Sequence, residues 1–205
     1  MATTRDAERA GAARRAGIVS AALALFGASG YRGTSLAAVA DAAGITRSGL
    51  LHHFPSKEAL LAAVLAERDR QAVEAAEVGR EYQGPALQRA LNIAEAIVAR
   101  NEQNRELTWL GHLGIFEADA PEFARNWAAE RLTELRDNLT GVVENGIAAG
   151  EVRAGTNAAA VASVVIAAIS GLEEQWLLDE SFDMVAAMRT LTAILARDLI
   201  VQPDR

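Results

Sequence analysis

A chain of 205 residues, 51% of them hydrophobic, is long enough to fold as one large domain or two small ones around a sizeable core. Alanine dominates the apolar residues, there are only four prolines and β-branched runs are few, so the composition favours an all-helical protein. The absence of cysteine excludes a disulfide framework and a thiolate metal site.

The net charge of −7 is unevenly distributed along the chain. Residues 1–57 carry seven basic and three acidic residues, a net charge of +4, whereas the remainder carries thirteen basic and twenty-four acidic residues, or −11. A basic N-terminal quarter on an acidic body is typical of a protein that presents one end to a polyanion, although chance clustering of arginines would give the same count.

The N-terminal segment is predicted to be a short arm followed by one helix. Residues 1–12 show no apolar periodicity, so we expect either a frayed terminus or a basic arm that reaches a polyanion. They also lack the apolar stretch of a signal peptide, which predicts a cytoplasmic protein. Ala13–Ala28 carries an apolar stripe at helical spacing, and this helix should end near Gly30.

Two short helices are predicted next, over Ser35–Ala42 and Arg47–Phe54. Thr34 and Thr46 stand where N-caps belong, because a threonine hydroxyl can accept an otherwise unpaired backbone N–H. Gly44 lies between the helices, where the chain must turn sharply. A helix, a tight turn with glycine and a second helix with a polar, basic start is the helix-turn-helix pattern, whose second helix faces base edges in the DNA major groove.

The same stretch resembles the DNA-binding domain of the TetR family of bacterial transcription regulators over Arg14–Leu65. The matching residues are Phe26-G-A-x-G-Tyr31, Gly33-Thr34-Ser35, Val39-A-x-x-A-Gly44-Ile45, and His53-Phe54 followed by Ser56-Lys57-Glu58-x-Leu60. Leu51 departs from the pattern, since the family usually has an aromatic residue there that contacts a DNA phosphate.

The motif and the resemblance together assign roles to eight residues. Arg47, Ser48 and Gly49 open the recognition helix and should face bases. His52 and His53 should contact phosphates or the groove edge. Thr34, Thr46 and Lys57 should anchor the DNA backbone; the resemblance favours a phosphate contact for Lys57 over a solvated lysine.

The rest of the chain is predicted to add six helices, for about nine in all. A long helix capped by Ser56 and reaching about Val78 should join a DNA-binding domain, 1–57, to a helical effector-binding and dimerisation domain, 58–205. The remaining predicted helices are Ala86–Gln103, Glu106–Glu117 with Asn104 as its cap, Glu122–Ala149, Asn157–Asp179 capped by Thr156, and Asp183–Val201.

The last two helices are predicted to form a homodimer interface. Ala158–Leu172 is apolar nearly all round, so it must be buried on several sides, with Val165 in its densest part. Its 15 residues are too few for a membrane span of about 20 residues, so no membrane contact is expected. An intrachain core would also bury this helix; the resemblance implies a four-helix bundle with a second copy, and a palindromic DNA site requires a two-fold axis.

Enzymatic chemistry is not expected, and neither is a metal or a cofactor. The chain has no nucleophile elbow, phosphate-binding loop or H-E-x-x-H motif. His52 and His53 are adjacent on a helix and point to different sides, while His112 stands alone. Glu173 and Glu174 are neighbours, which predicts a solvated patch.

A small-molecule pocket is predicted in the middle of the body. Trp109, His112, Leu113 and Phe116 recur on one helix face, and Trp127 and Trp176 are candidates to join them. The alternative is a bulky core with a hydrogen-bonded His112. Concave apolar sites with a few polar groups are typical of ligand pockets, and the resemblance implies one here for a small apolar or amphipathic effector.

The sequence therefore predicts a homodimeric repressor that leaves a palindromic operator when an effector tilts the fourth helix and separates the two recognition helices. An activator of the same fold is equally compatible with the sequence. A ligand-binding protein with a vestigial helix-turn-helix is the competing hypothesis.

Overall fold

The structure, a computed structural model, describes residues 4–76, 82, 84–116 and 120–201. Over these ranges it confirms the all-α fold, with the N-terminal helix-turn-helix joined by a long helix to a helical body. The helices are α1 (Thr4–Gly33), α2 (Leu36–Ala42), α3 (Arg47–His53), α4 (Lys57–Ala76), α5 (Ala86–Glu102), α6 (Arg105–Phe116), α7 (Glu122–Ala148), α8 (Ala158–Leu178) and α9 (Met184–Leu199). The predicted ends of the fourth helix at Val78 and the sixth at Glu117 lie outside the described residues.

The predicted N-terminal arm is wrong over the part that the structure describes. The first helix begins at Thr4, because this segment is rich in alanine and arginine, which favour a helix without needing an apolar face. The helix is broken at Gly30, whose φ of 70° lies in the left-handed region.

Two predicted caps are displaced by one residue. Ser35, not Thr34, caps α2, since its hydroxyl accepts the Ala38 N–H at 3.1 Å. Asn157, not Thr156, caps α8 through a bond from the Ala160 N–H at 3.0 Å. In both places two adjacent residues have side chains that can serve as N-caps. Their N-cap preferences are too similar to decide which of the two begins the helix.

Three other caps are confirmed. The Thr46 hydroxyl accepts the Gly49 N–H, the Ser56 hydroxyl accepts the Ala59 N–H, and the Asn104 side-chain oxygen accepts the Leu107 N–H. These bonds fix where α3, α4 and α6 begin, and so they fix the angle at which the chain enters each helix.

The core of the N-terminal part extends beyond residue 57. Ile18, Phe26, Val39 and Leu50 are fully buried together. The first two turns of α4 close this core with Leu60, Leu61, Val64 and Leu65, each at most 2% exposed. Helix α4 is therefore a structural part of the helix-turn-helix core before it continues into the body.

The second core lies between α5, α7, α8 and α9. It buries Leu91, Val98, Val143 and Met188, among others. Val165 of α8 belongs to this core and is 3% exposed, so the prediction that it lies at a subunit interface is wrong. Its neighbour Val164 points the other way and is 50% exposed.

Candidate nucleic-acid interface and ligand cavity

Helix α3 presents a polar N-terminal surface to solvent. Gly44, with φ of 67°, makes the turn from α2, and Thr46 caps α3. Leu50 on the inner side is fully buried and holds the helix against α1 and α2. Arg47 and Ser48 are consequently exposed on the outer side of the first turn. This arrangement leaves the start of α3 open to a partner.

Four further residues of α3 differ in their exposure and in their neighbours. A Cβ added to Gly49 would lie 3.3 Å from the Thr46 Oγ1 atom that accepts the Gly49 N–H, so a larger residue would crowd the cap. Leu51, the departure from the family pattern, is 37% exposed on the same helix. His52 is exposed and His53 half-buried, with 5.6 Å between their ring centroids.

Lys57 is oriented by an aromatic neighbour. Its Nζ lies 4.3 Å from the centroid of the Tyr31 ring, a cation–π distance. The Tyr31 hydroxyl donates to Glu58 Oε1 at 3.1 Å, and burial together with this bond raises the pKa of Tyr31 to about 12. Tyr31 therefore stays neutral and holds Lys57 at the start of α4.

Thr34 has an internal role that the sequence did not reveal. It is 3% exposed, and its hydroxyl donates to the carbonyls of Leu25 and Gly30, each at 2.9 Å. This geometry argues against a phosphate contact from Thr34, because its hydroxyl is committed to the break at the end of α1. Ser35, which is exposed, is the better placed hydroxyl. The other predicted DNA contacts stay predictions.

A cavity of about 270 Å³ lies in the body, lined by residues from α4, α5, α6, α7 and α8. Most of its wall is aliphatic, and includes Ile93, Ile97, Leu132, Leu139, Val165 and Ile169. Charged and polar groups are also present in the lining: Arg68, Arg100, Asn101, His112, Arg131 and Glu173. The cavity thus combines an apolar wall with several charged groups.

Glu173 is the centre of a buried polar network. It is 4% exposed, accepts a hydrogen bond from Asn101 Nδ2, and pairs with His112 Nε2 at 2.9 Å. Asn101 in turn accepts a bond from Arg100 Nη2 at 2.6 Å. The prediction of a solvated Glu173–Glu174 patch is therefore wrong for Glu173, which faces inward, while Glu174 is exposed.

Arg68 is a buried cation that α4 carries into the cavity. It is 7% exposed, and its Nε donates to the Leu107 carbonyl at 3.4 Å. Gly111 leaves room for it, since an added Cβ there would lie 2.3 Å from Arg68 Nη2. Burial, followed by the nearby Arg131, lowers the pKa of Arg68 to about 10 while Glu173 opposes the change, so Arg68 remains charged near neutral pH.

Trp127 connects α4 to α7 beside Arg68. Its indole N–H donates to Asp69 Oδ2 at 2.8 Å, and Arg131 Nη1 pairs with Asp69 Oδ1 at 2.5 Å. The guanidinium groups of Arg68 and Arg131 lie over its ring, with Cζ 5.6 and 5.9 Å from the centroid. These contacts fix both the ring and the two cations.

The structure brings together only part of the predicted ligand site. His112 and Trp127 line the cavity. Trp109 and Trp176 do not, and instead pack in the core of the body. The side chains of Leu113 and Phe116 lie outside the described residues.

Sequence reasoning missed Arg68, Arg100 and Glu173 as cavity residues, because charged side chains usually lie on the protein surface. The position of Arg68 in the sequence does indicate that its side chain faces inward. It follows Leu61 and Leu65 on the inward stripe of α4 and precedes Ala72.

The described residues contain no group of three His, Cys, Asp or Glu side chains that could hold a metal ion.

Comparisons with known proteins agree with this geometry. Residues 18–64 match the family model described as bacterial regulatory proteins, tetR family. The chain is 48% identical over 63 residues to the HTH-type transcriptional regulator RutR of Escherichia coli (strain K12), a match that spans 31% of this chain and only 30% of RutR. It is 26% identical over 196 residues to the regulator AcrR of Shigella flexneri, covering 91% of this chain and 89% of AcrR.

Solved structures share the fold over nearly the whole chain. A TetR transcriptional regulator from Chloroflexus aurantiacus J-10-FL has a TM-score of 0.83 at 24% identity, covering 95% of this chain and 100% of that one. A transcriptional regulator from Saccharomonospora viridis in complex with choline has a TM-score of 0.78 at 19% identity. The match covers 92% of this chain and 98% of that one. FadR from Bacillus subtilis in complex with stearoyl-CoA has a TM-score of 0.73 at 18% identity. The match covers 87% of this chain and 96% of FadR.

The matched helix-turn-helix model and the alignment to AcrR over nine-tenths of the chain lead to one assignment. The N-terminal helix-turn-helix is a domain of the tetR family of bacterial regulatory proteins, and the chain as a whole is similar to regulators of that family.

Proposed function

We propose that this protein is a homodimeric, ligand-responsive transcriptional regulator in the cytoplasm, and that it acts as a repressor released from a palindromic operator by a small-molecule effector. The observation that carries the proposal is the double role of α4. Residues Leu60 to Leu65 of this helix close the helix-turn-helix core, and Arg68, one turn later, lines the cavity. A displacement of α4 at the cavity is thereby a displacement of the DNA-binding core.

A second contact supports coupling between the two parts of the chain, which we propose to divide into a DNA-binding domain near residues 1–57 and an effector-binding body. Helix α1 packs directly on α6, because Gly27 has no side chain: an added Cβ would lie 2.5 Å from the Glu106 Cα atom. Helix α6 also carries Gly111 and His112 to the cavity. An effector that moves α6 therefore acts on α1 as well as on α4.

Repression follows from how the two DNA-binding domains must be spaced. A dimer reads a palindrome when its recognition helices enter major grooves about 34–36 Å apart or a multiple of that distance. An effector that binds the body better when α4 is tilted shifts the population toward a form that misfits the operator. Coupling of this kind is typically about 1–3 kcal/mol. The complexes of fold neighbours with choline and stearoyl-CoA support a small-molecule effector.

The exposed apolar face of the last two helices supports the dimer. Val164 is 50%, Leu178 90% and Ile194 43% exposed. Helix α8 has the length and hydropathy of a membrane span, with 28% of its most apolar window buried, but the core helix of a soluble protein meets the same criterion. Packing α8 and α9 against a second copy would cover these residues in a four-helix bundle.

Val164→Arg is expected to weaken the dimer and, with it, operator binding. The change would put an unpaired charge into an apolar interface, which is unfavourable, while the protomer should remain folded because Val164 is exposed in it. Light scattering at micromolar concentration should report monomers. Val73→Arg, at a 59% exposed valine on α4, is the matched control and should leave the dimer intact. A Val164→Arg protein that stays dimeric would contradict this interface.

The DNA-binding role is tested by separating base reading from phosphate contact. Arg47→Ala should cost roughly 1–3 kcal/mol on the operator and much less on an operator in which the contacted base pair is changed, because its guanidinium can bond guanine O6 and N7. Lys57→Ala should weaken binding to both operators similarly and reduce the salt slope by about one, as expected for a phosphate contact. Fluorescence anisotropy at several salt concentrations would measure both effects.

The control for these variants is Arg136→Ala, which removes an exposed arginine from α7 in the body and should change neither affinity nor salt slope. Circular dichroism should show all three variants folded. Equal weakening of every sequence by Arg47→Ala would make Arg47 a phosphate contact. Unchanged binding in both Arg47→Ala and Lys57→Ala would favour a vestigial helix-turn-helix.

A further inference from the structure

The charges around the cavity do not balance. Among the described residues, three guanidinium groups line it, those of Arg68, Arg100 and Arg131. The only carboxylates that face them among the described interactions are Glu173 in the lining and Asp69, the partner of Arg131. Three guanidinium cations therefore face two carboxylates among the described residues, so at least one positive charge is left over in a partly apolar site, where charges without partners are unfavourable.

Two buried donors are also left without partners. Nη1 of Arg68 and Nη1 of Arg100 are buried and make no hydrogen bond in the described structure. The other nitrogens of these two groups hold them in place: Arg68 Nε bonds the Leu107 carbonyl, and Arg100 Nε and Nη2 bond Asn101 Oδ1. A buried N–H without a partner is destabilising, so an acceptor that reaches these atoms would bind favourably.

The wall and the volume of the cavity indicate the chemistry and size of the rest of the ligand. Its wall beyond the charged groups is aliphatic, with Ile93, Ile97 and Leu139 among the contributors. Its volume of about 270 Å³ lies just below the range of roughly 300–1,000 Å³ that holds drug-sized ligands. A compact molecule with one anionic end and an apolar body would match both the charges and the wall.

Resting on the function proposed above, we propose that the effector is a small amphipathic carboxylic acid, bound as its monoanion, with the carboxylate on Arg68 and Arg100 and the apolar tail against the aliphatic wall. A carboxylate supplies the acceptors that a guanidinium fork prefers. It also compensates the surplus positive charge, and it engages Arg68 on α4, the helix that leads into the DNA-binding core.

A cationic effector fits less well. Glu173, the one anion among the lining residues that the structure describes, already accepts a hydrogen bond from Asn101 and pairs with His112. Trp127 is the one benzenoid ring among the described lining residues, and the Arg68 and Arg131 cations already lie over it. A quaternary ammonium ion would therefore add a fourth cation without gaining an open aromatic face.

The test compares ligands that differ only in head-group charge. Calorimetric titration of the full-length dimer with octanoate, 1-octanol and octyltrimethylammonium should give tightest binding for octanoate, by about tenfold or more, as expected when a charge-assisted hydrogen bond is lost. Hexanoate, decanoate and dodecanoate extend the series to the tail length that the cavity accepts. One carboxylate should bind per protomer.

Two variants locate the carboxylate. Arg68→Met removes the guanidinium and should lower carboxylate affinity about tenfold or more while changing 1-octanol binding little. Gly111→Ala keeps the Arg68 guanidinium but displaces it, because the added Cβ would lie 2.3 Å from Arg68 Nη2. This variant should therefore also lower carboxylate affinity. The matched controls are Arg70→Met, an exposed arginine on the same helix, and Gly141→Ala, where an added Cβ meets nothing within 4 Å.

Operator binding, measured with and without each ligand, separates this inference from the proposed function. Tightest binding of 1-octanol or the cation, or failure of the whole carboxylate series to bind, would overturn the carboxylate assignment while ligand-free operator binding still supports the regulator. Carboxylate affinity unchanged by both Arg68→Met and Gly111→Ala would overturn the site. Tight, Arg68-dependent carboxylate binding that leaves operator affinity unchanged would support the ligand class and contradict release by effector.

Discussion

Replacing Glu173 with alanine is expected to destabilise the protein by about 3–5 kcal/mol, the loss typical when one partner of a buried charged network is removed. The side chain is 4% exposed and receives hydrogen bonds from Asn101 and His112, both of which would lose their acceptor. Its charge also opposes the lowering of the pKa of Arg68 and of Arg100, so both buried cations would lose compensation.

Urea denaturation followed by circular dichroism, at one fixed protein concentration because the protein is proposed to be dimeric, would measure this loss. Glu174→Ala is a matched control, since it deletes the same side chain from the exposed neighbouring position and should change stability by at most about 0.5 kcal/mol. Similar stabilities for the two variants would contradict the buried network.

Gly27→Ala should have the second largest effect, both on stability and on communication between the two parts of the chain. The new methyl group would lie 2.3 Å from the Cβ and 2.5 Å from the Cα of Glu106, so α1 and α6 must move apart. Overpacking of this kind destabilises by about 1–3 kcal/mol. With α1 and α6 further apart, effector binding should also change the affinity for the operator by a smaller factor.

Gly17→Ala provides the comparison on the same helix. Nothing lies within 4 Å of an added Cβ there, so alanine should stabilise α1 by about 0.4–1 kcal/mol through its lower unfolded-state entropy. Thermal unfolding would report the opposite signs of the two substitutions. Two stabilising changes would mean that α1 and α6 do not approach as closely as the structure shows.

The helix-turn-helix could be predicted from sequence because its signals are local. Caps at Thr46 and Ser56 and a turn at Gly44 act within a few residues, and each was found where it was expected. The same local rules failed where two neighbours compete, as at Thr34 and Ser35. There the choice depends on the carbonyls of Leu25 and Gly30, which only the folded chain brings to Thr34.

The cavity was harder to predict because its polar groups come from distant parts of the chain. Asn101, His112 and Glu173 lie on three different helices, and their hydrogen bonds span 61 and 72 residues. Adjacent charged residues such as Glu173 and Glu174 resemble a surface patch until the packing of α8 decides which one faces inward. Trp109 and Trp176 have the size of pocket residues, yet they fill the core of the body.

The most direct test of a ligand-responsive operator-binding protein is selection of bound fragments from a random DNA pool, followed by the affinity for the selected sequence across a range of salt concentrations. The account predicts enrichment of an inverted repeat whose half-sites are about 34–36 Å apart or a multiple of that distance, and a steep loss of affinity with salt through counterion release. No enriched repeat, together with retention that does not depend on salt, would contradict it.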